Sequence, residues 1–376
     1  MNIALLGSAG SGGKNALKVI DSFADLKVTV LAAKQNATLL YEQAVRYRPK
    51  MVVIYDENKR KDLAKALPFT QVVSGLDGLM ESVRLSDVDA AVFALSGSKA
   101  VGPCLAALEE GKRILLANKE ILVSAGSLIM QACERKNGLI LPIDSEHAAI
   151  HQCLRSGKKS ELKKIILTAS GGPFFRYSKE ELSAVTLAQA LKHPKWSMGS
   201  KITIDSSTLM NKGLEIIEAM HLFSLKPEEI SVVVHPESIV HSFVEYRDGN
   251  LIAQLAEPDM KIPLQYALTY PERREIKKSS FSFVENPSLT FYAPDRKAFP
   301  CLALAEKALR EKSSFSCALN AANETLVERF LQEKISWKEI GEKLEEILSL
   351  HQSRDLLSLY DVRQVDLEAR SKALEV

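Results

Sequence analysis

The sequence predicts an α/β protein: an open parallel sheet at the N-terminus, a mixed α/β unit in the middle and a helical C-terminus. Three observations carry this prediction. The first third alternates short apolar runs with amphipathic stretches, the pattern of a parallel sheet covered by helices on both faces. The middle third has strand-like runs separated by polar, Gly/Ser-rich loops. The end of the chain reads at helical period.

In order, Ile3–Leu6, Val28–Ala33, Met51–Tyr55, Ala90–Leu95 and Arg113–Ala117 are predicted as buried strands, each a short apolar run. Thr38–Arg48 and Val101–Glu110 read as helices between them. In the middle, Ile165–Thr168, Lys201–Ile204, Ser231–Val234, Ser242–Tyr246 and Leu251–Leu255 read as strands, and Asn211–Phe223 as a helix. Arg247-Asp248-Gly249-Asn250 joins the last two strands as a hairpin turn. Residues 271–300 have no clear period, carry Pro271, Pro287, Pro294 and Pro300, and read as a linker. Cys301–Lys312, Ala318–Glu333, Trp337–His351 and Val365–Leu374 then read as a small helical bundle.

Composition narrows the class of function. The chain has 376 residues, enough for two or three domains, and 46% hydrophobic with 26% charged residues excludes wholesale disorder. A net charge of +2 with no long basic run argues against nucleic acid as a partner. No apolar run reaches the length of a membrane span, so no membrane partner is expected. Met1–Gly7 lacks the basic start and apolar length of a signal peptide. Cys104, Cys133, Cys153, Cys301 and Cys317 form no C-x-x-C pair and read as free thiols, so a reducing cytoplasm is expected.

Gly7-Ser8-Ala9-Gly10-Ser11-Gly12-Gly13 follows the first strand and precedes an amphipathic helix running to about Phe23. Such glycines let the backbone approach a pyrophosphate at a helix N-terminus, although an ordinary strand-to-helix turn has the same composition. The second strand ends in Ala33-Lys34-Gln35-Asn36. An acid there would bind a ribose 2′-hydroxyl. Lys34 instead favours a 2′-phosphate, hence NADP over NAD, unless it is one more solvated lysine. These features predict a Rossmann-like dinucleotide-binding domain over residues 1–143.

Asp144-Ser145-Glu146-His147 follows the apolar run Leu139–Ile143. If the chain stays extended there, Asp144 and Glu146 can converge on one hard cation, with Glu215 as a third acid. Alone, a D-x-E pattern is common by chance. Asp205-Ser206-Ser207-Thr208-Leu209-Met210-Asn211-Lys212-Gly213-Leu214-Glu215 reads as a strand entering a Ser/Thr-rich helix start, where hydroxyls, N–H groups and Lys212 suit a phosphate. A capped surface helix is the plainer reading of that segment alone. Thr168–Pro173 is a Ser/Gly loop suited to an anion or simply to a turn. His193-Pro194-Lys195-Trp196-Ser197-Met198-Gly199 reads as a lid that excludes water, or as a loop anchored by its Trp. His147 and His151 are four apart, but Ala148 breaks the zinc pattern H-E-x-x-H. His235 and His241 read as satisfied polar residues.

Together, Gly7–Gly13, Leu115–Glu120, Leu141–His147, Thr168–Pro173, His193–Gly199, Asp205–Glu215, Gln254–Met260 and Leu319–Glu324 closely resemble the 1-deoxy-D-xylulose 5-phosphate reductoisomerase family, in order and nearly end to end. The resemblance implies rearrangement and reduction of 1-deoxy-D-xylulose 5-phosphate to 2-C-methyl-D-erythritol 4-phosphate on the non-mevalonate route to isoprenoid precursors. It implies NADPH, one divalent cation (Mg²⁺, Mn²⁺ or Co²⁺) and a homodimer. It places the metal on Asp144, Glu146 and Glu215, and makes Glu146, Lys212 and His193 the catalytic group.

The same resemblance puts Ser145, Ser170, His193, Trp196, Ser206, Asn211, Lys212 and Glu215 around the sugar phosphate. The cofactor set is Gly7, Ser8, Ala9, Gly10, Ser11, Gly12, Lys34, Gln35, Asn36, Asn118, Lys119, Glu120, Met198 and Gly199. The expected domains are 1–143 for NADP, 144–272 for catalysis and metal with a lid at about 193–200, a 273–300 linker and a 301–376 helical domain. Ala9, Gly12, Lys34-Gln35, Ala100, Ala148 and Ser200 depart from the family's usual residues. Two other readings compete: an NADP-dependent dehydrogenase without rearrangement, against which the three acids speak, and a nucleotide sensor without turnover. A zinc hydrolase is the weakest.

Overall fold

The protein is described by a computed structural model over residues 1–196, 198–275, 281–285 and 288–376. In chain order the elements begin β1 (Asn2–Leu6), α1 (Ser11–Ile20), β2 (Lys27–Ala33), α2 (Ala37–Tyr47), β3 (Met51–Ile54), α3 (Arg60–Ala66), β4 (Gln71–Ser74), α4 (Gly75–Val83), β5 (Ala90–Phe93), α5 (Val101–Glu109), β6 (Arg113–Leu116), α6 (Glu120–Arg135) and β7 (Ile140–Pro142). They continue with α7 (Ser145–Cys153), β8 (Leu162–Ala169), α8 (Lys179–Ser183), α9 (Leu187–Ala190), α10 (Ser200–Ser207), α11 (Met210–Phe223), β9 (Ile230–Val234), β10 (Val240–Tyr246), β11 (Leu251–Leu255) and α12 (Lys261–Thr269). The last four are α13 (Pro300–Ala308), α14 (Ser313–Leu331), α15 (Trp337–Ser349) and α16 (Leu359–Glu375).

The chain divides into two units. The first comprises Met1–Ile121, Ile129–Asp144 and Met260–Glu275; the second comprises Leu122–Leu128, Ser145–Asp259 and Ile276–Val376. The first unit holds a parallel sheet in the order β4-β3-β2-β1-β5-β6-β7. β1 lies between β2 and β5, so the strand order reverses there, and the crevice past the ends of β1 and β5 is where such sheets bind ligands. Ile3, Leu5, Leu31, Val52, Ile54, Val92 and Leu115 fill the core, and Leu264, Ala267 and Leu268 of α12 join it.

The second unit holds a four-stranded sheet, β11-β10-β8-β9, in which β8 and β9 are parallel and β10 runs antiparallel to β8 and β11. The hairpin between β10 and β11 turns at Asp248 and Gly249 as expected. Tyr292 pairs with Val234 at the edge of β9, within the stretch expected to be a linker; Pro287 of that stretch lies outside the described residues. Trp337 of α15 is buried against Phe174 and Phe299, and its Nε1–H donates to Ser207 Oγ at 2.9 Å.

Several local expectations are corrected. Lys201–Ile204 is not a strand but part of α10. Its alternation of β-branched residues imitates a strand over too few residues to set a period, and helix packing buries Thr203 through Ser207. The Ser/Thr-rich segment is therefore the last turn of α10, and α11 starts afresh after Leu209, whose φ is 60°. The D-S-E segment is not extended through Glu146, because α7 begins at Ser145 and places Glu146 in its first turn, where an acid favours the helix dipole. Two strands were not expected: β4, with only Val72 and Val73 as apolar signal, and β7, where Pro142 is tolerated on an edge strand. The helix expected to run on to Lys312 ends at Ala308, and α14 starts at Ser313. The five cysteines are free and buried. No helix among the described residues is long and apolar enough to cross a membrane.

Candidate functional site

In the first unit, the glycine loop leaves β1 at the point of strand reversal. Gly7 has φ +97°, and a Cβ there would lie 2.5 Å from the Ala94 carbonyl carbon. Gly13 lies so close to Gly7 O that a side chain would collide with the loop. Gly10 and Gly12 meet no such obstruction and leave their outer side clear. Gly10 is the N-cap of α1, and no side chain caps this helix, so its first N–H groups suit an anion. Ser8 is buried: its N–H donates to Ala32 O, its hydroxyl to Gln43 Oε1 at 2.6 Å, and Gln43 Nε2 returns a bond to Ser8 O. Ser8 therefore ties the loop down. Ala9 is half-buried and Ser11 exposed.

Lys34 and Gln35 are exposed at the end of β2, and Asn36 caps α2 by accepting from Leu39 N at 3.0 Å. Asn118 is buried after β6. Its Nδ2 donates to Leu95 O at 2.6 Å and Gly97 O at 3.1 Å, and its Oδ1 accepts from Ile121 N, so it fastens the loop after β5. Lys119, also buried, forms an ion pair with Asp144. Glu120 opens α6 and is buried.

In the second unit, two acids converge on one ammonium group. Lys212 Nζ donates to Glu146 Oε1 at 2.7 Å and also to Glu215 Oε2. Glu215 is fully buried and Lys212 is 2% exposed. Burial alone would lower the Lys212 pKa, but Glu146 and Glu215 outweigh it and hold the group above its usual value. Asn211 Nδ2 donates to the other Glu215 oxygen at 2.5 Å, and Ser145 Oγ donates to Glu146 Oε2 at 2.6 Å. The α11 spacing does this: Asn211, Lys212 and Glu215 share one helix face. Carboxylates gathered on a single positive charge are the hard-oxygen donor set that Mg²⁺ or Mn²⁺ takes, so these residues fit a divalent cation.

The Ser/Gly loop and the lid segment meet. Ser170 Oγ lies 3.0 Å from His193 Nε2 and accepts from Gly172 N at 3.3 Å. His193 Nδ1 accepts from Lys195 N and Trp196 N, and burial pushes the imidazole down to about 4. Gly172 has φ +67°, and a Cβ there would lie 2.5 Å from Ser206 O, so this loop backs directly onto α10. Ser206 is buried. Trp196 is half-buried beside the His241 ring, which gives its side chain an anchoring contact. Met198 is half-buried, Gly199 is the exposed N-cap of α10, and Ser197 lies outside the described residues.

His147 proves internal: it is fully buried, with Nε2 2.9 Å from Glu215 O and Nδ1 3.5 Å from Glu218. His235 Nε2 accepts from Ile239 N and Val240 N, and His241 Nε2 lies 3.2 Å from Ala256 O, so both are satisfied as expected. The supports of α10 escaped sequence reasoning. Asn323 Nδ2 donates to Asp205 Oδ1 at 2.8 Å, and Lys201 pairs with Asp205 Oδ2 at 2.8 Å. Asn320 Nδ2 donates to Glu324 Oε1 at 3.1 Å and Ser124 Oγ at 3.3 Å. Two asparagines on a helix that is otherwise buried there were the available signal, since buried amides need partners.

Comparison with known proteins agrees along the whole chain. Residues 3–126 match the family model for 1-deoxy-D-xylulose 5-phosphate reductoisomerase, 140–223 that for its C-terminal domain, and 255–372 that for the DXP reductoisomerase C-terminal domain. The 1-deoxy-D-xylulose 5-phosphate reductoisomerase of Protochlamydia amoebophila is 47% identical over 99% of this chain and 97% of its own. That of Acetivibrio thermocellus is 47% identical over 100% of this chain and 98% of its own. A crystal structure of DOX-P reductoisomerase in complex with NADPH, fosmidomycin and magnesium is similar at TM-score 0.94 and 38% identity, covering 100% of this chain and 98% of that one. The Zymomonas mobilis enzyme in complex with NADPH is similar at TM-score 0.92 and 38% identity, covering 100% and 97%.

Proposed function

The chain belongs to the 1-deoxy-D-xylulose 5-phosphate reductoisomerase family, and on that premise we propose how its own residues carry the family's reaction. The protein is an NADP-dependent oxidoreductase that converts 1-deoxy-D-xylulose 5-phosphate to 2-C-methyl-D-erythritol 4-phosphate, with NADPH and a divalent cation, in isoprenoid precursor biosynthesis. The observation that carries the site assignment is the convergence of Glu146 and Glu215 on the buried Lys212 ammonium.

Asp144, Glu146 and Glu215 are the oxygen donors for the cation, and lysines pair with all three in this structure. The cation supplies Lewis acidity and NADPH a hydride when bound. Lys212 offsets the negative charge of Glu146 and Glu215 and presents a donor to the substrate's oxygens. Ser145 orients Glu146, and Asn211 orients Glu215. Ser170, Ser206, Asn211 and Lys212 bind the substrate phosphate, and that remote binding energy positions the reacting end. His193 and Trp196 belong to the segment that excludes water. Glu146 is the group placed to hold or move the proton of the substrate hydroxyl. Gly7, Ala9, Gly10, Ser11 and Gly12 take the cofactor's pyrophosphate, Ser8 and Asn118 brace their loops, and Lys34, Gln35 and Asn36 face its ribose. Lys119, Glu120, Met198 and Gly199 complete the cofactor set.

We further propose a cytoplasmic homodimer: the five free thiols support a reducing compartment, and the family resemblance supports the dimer. The decisive experiment follows NADPH oxidation by absorbance with 1-deoxy-D-xylulose 5-phosphate and Mg²⁺ or Mn²⁺, against an EDTA control, and identifies the product. Metal-dependent oxidation yielding the branched polyol phosphate is expected. Oxidation that survives EDTA, or a product without rearrangement, would overturn the reading.

A further inference from the structure

The turn after β2 carries a second ammonium group that its own sequence does not supply. Lys34 stands exposed at the end of the strand, beside the uncharged Gln35. The structure brings a second lysine to the same turn from a distant part of the sequence. Lys59 Nζ donates to Gln35 O at 2.7 Å. The backbone behind it is registered with the turn, because Tyr55 N donates to Ala33 O and Asp56 N to Lys34 O, both at 2.9 Å. This extension past β3 fixes where residues 56–59 stand relative to Lys34.

We propose that Lys59 is a specificity-determining residue of this enzyme, reading the 2′-phosphate of NADPH together with Lys34. The proposal rests on the NADPH reading above and names a residue that the end of β2 alone does not. In an open dinucleotide-binding sheet, the group at the tip of the second strand faces the adenosine ribose, and a cation there selects the phosphorylated form. An ammonium has three N–H donors. At Lys59 one is taken by Gln35 O, while Asp56 Oδ2, at 3.8 Å, lies beyond hydrogen-bonding distance. The side chain is 44% exposed, so a phosphate can reach it without moving the fold. Two acids stand in the same segment, the exposed Glu57 and the half-buried Asp56. Asp56 Oδ1 accepts from Asn58 N at 3.2 Å, its N–H holds Lys34 O, and it therefore shapes the segment that delivers Lys59. Lys34 and Lys59 thus offer two ammonium groups on one turn, the charge-assisted donors that a phosphate dianion takes.

The alternative role for Lys59 is a brace on the Gln35 carbonyl, and binding measurements separate the two. The probes are adenosine 2′,5′-bisphosphate and 5′-AMP, titrated calorimetrically into the full-length protein without substrate. The wild type is expected to prefer the bisphosphate. Lys59→Met should lose about tenfold in affinity for the bisphosphate, the worth of one exposed charge-assisted hydrogen bond, with 5′-AMP unchanged. Lys59→Arg should restore the preference, and kcat/KM for NADPH should follow the bisphosphate affinity while that for NADH does not. Equal losses for both probes would make Lys59 a brace, and no loss would remove it from the site; either overturns the proposal. A wild type that binds both probes equally would instead overturn the 2′-phosphate reading on which the proposal rests.

Discussion

His193 turns Ser170 into a hydrogen-bond donor. With Nδ1 accepting two backbone N–H groups and the ring neutral, the proton sits on Nε2 and points at Ser170 Oγ, 3.0 Å away. Gly172 N occupies the hydroxyl's second acceptor position. The remaining hydroxyl hydrogen is left to donate, which is what the phosphate role proposed for Ser170 requires.

Ser170→Ala should therefore raise KM for the sugar phosphate about 10- to 100-fold, the range for a hydrogen bond to a charged group, with a smaller change in kcat. His193→Gln, whose amide can still donate, should retain more affinity than His193→Ala. Steady-state kinetics on the three variants checks this. Equal effects of Gln and Ala would mean that donation by His193 is irrelevant.

On the proposed metal assignment, Glu215→Gln should lower turnover by about a thousandfold, since several kcal/mol of charge stabilisation by the cation would be lost. NADPH affinity, read by fluorescence titration, should hardly change, because the glycine loop and the β2 turn are elsewhere in the sequence. Near-normal turnover in this variant would remove Glu215 from the metal site.

Two histidines make stability fall on the acid side. Burial pushes both His193 and His221 down to about 4. Unfolded, each takes up a proton near pH 6.5, while the folded protein takes it up only near pH 4. Between those values the unfolded chain binds more protons, so stability is full above about pH 6.5 and declines as pH falls toward 4. Tm measured across this range should drop, and His221→Gln should flatten the slope if it folds. A Tm independent of pH from 7 down to 5 would contradict the assignment.

Trp337 tests how far the C-terminal helices support the site. Trp337→Phe keeps the ring contacts with Phe174 and Phe299 and loses the bond to Ser207, which should cost about 1 kcal/mol in urea unfolding. Trp337→Ala should cost about 3–5 kcal/mol. Because Ser207 adjoins Ser206 in α10, both variants should raise KM for the sugar phosphate more than KM for NADPH. The opposite order would separate Trp337 from the phosphate side.

The parallel sheet was legible because its strands are buried on both faces and so stand out as continuous apolar runs. Ile3–Leu6 and Ala90–Phe93 needed only their own composition to be recognised. β4 was not legible, since Gln71 and Ser74 dilute Val72-Val73. α10 was misread because its local propensity for strand yields to packing that joins distant residues, Asp205 with Asn323 and Ser207 with Trp337. The site followed the same division. Asn211, Lys212 and Glu215 could be placed together because helical spacing is local information. The Ser170–His193 pair and the reach of Lys59 to Gln35 join loops across the fold, and no period in the sequence encodes them.

The position of α12 has a consequence for how the protein is made. Leu264, Ala267 and Leu268 complete the core of the sheet that starts at residue 2, yet they follow all of β8–β11 in the chain. During synthesis the N-terminal sheet emerges from the ribosome with part of its apolar surface uncovered. It stays so while the 124 residues from Ser145 to Leu268 are added. At about 5–20 residues per second this takes roughly 6–25 s. In that interval the nascent sheet offers a surface to chaperones, and a fragment ending before α12 would keep that surface exposed.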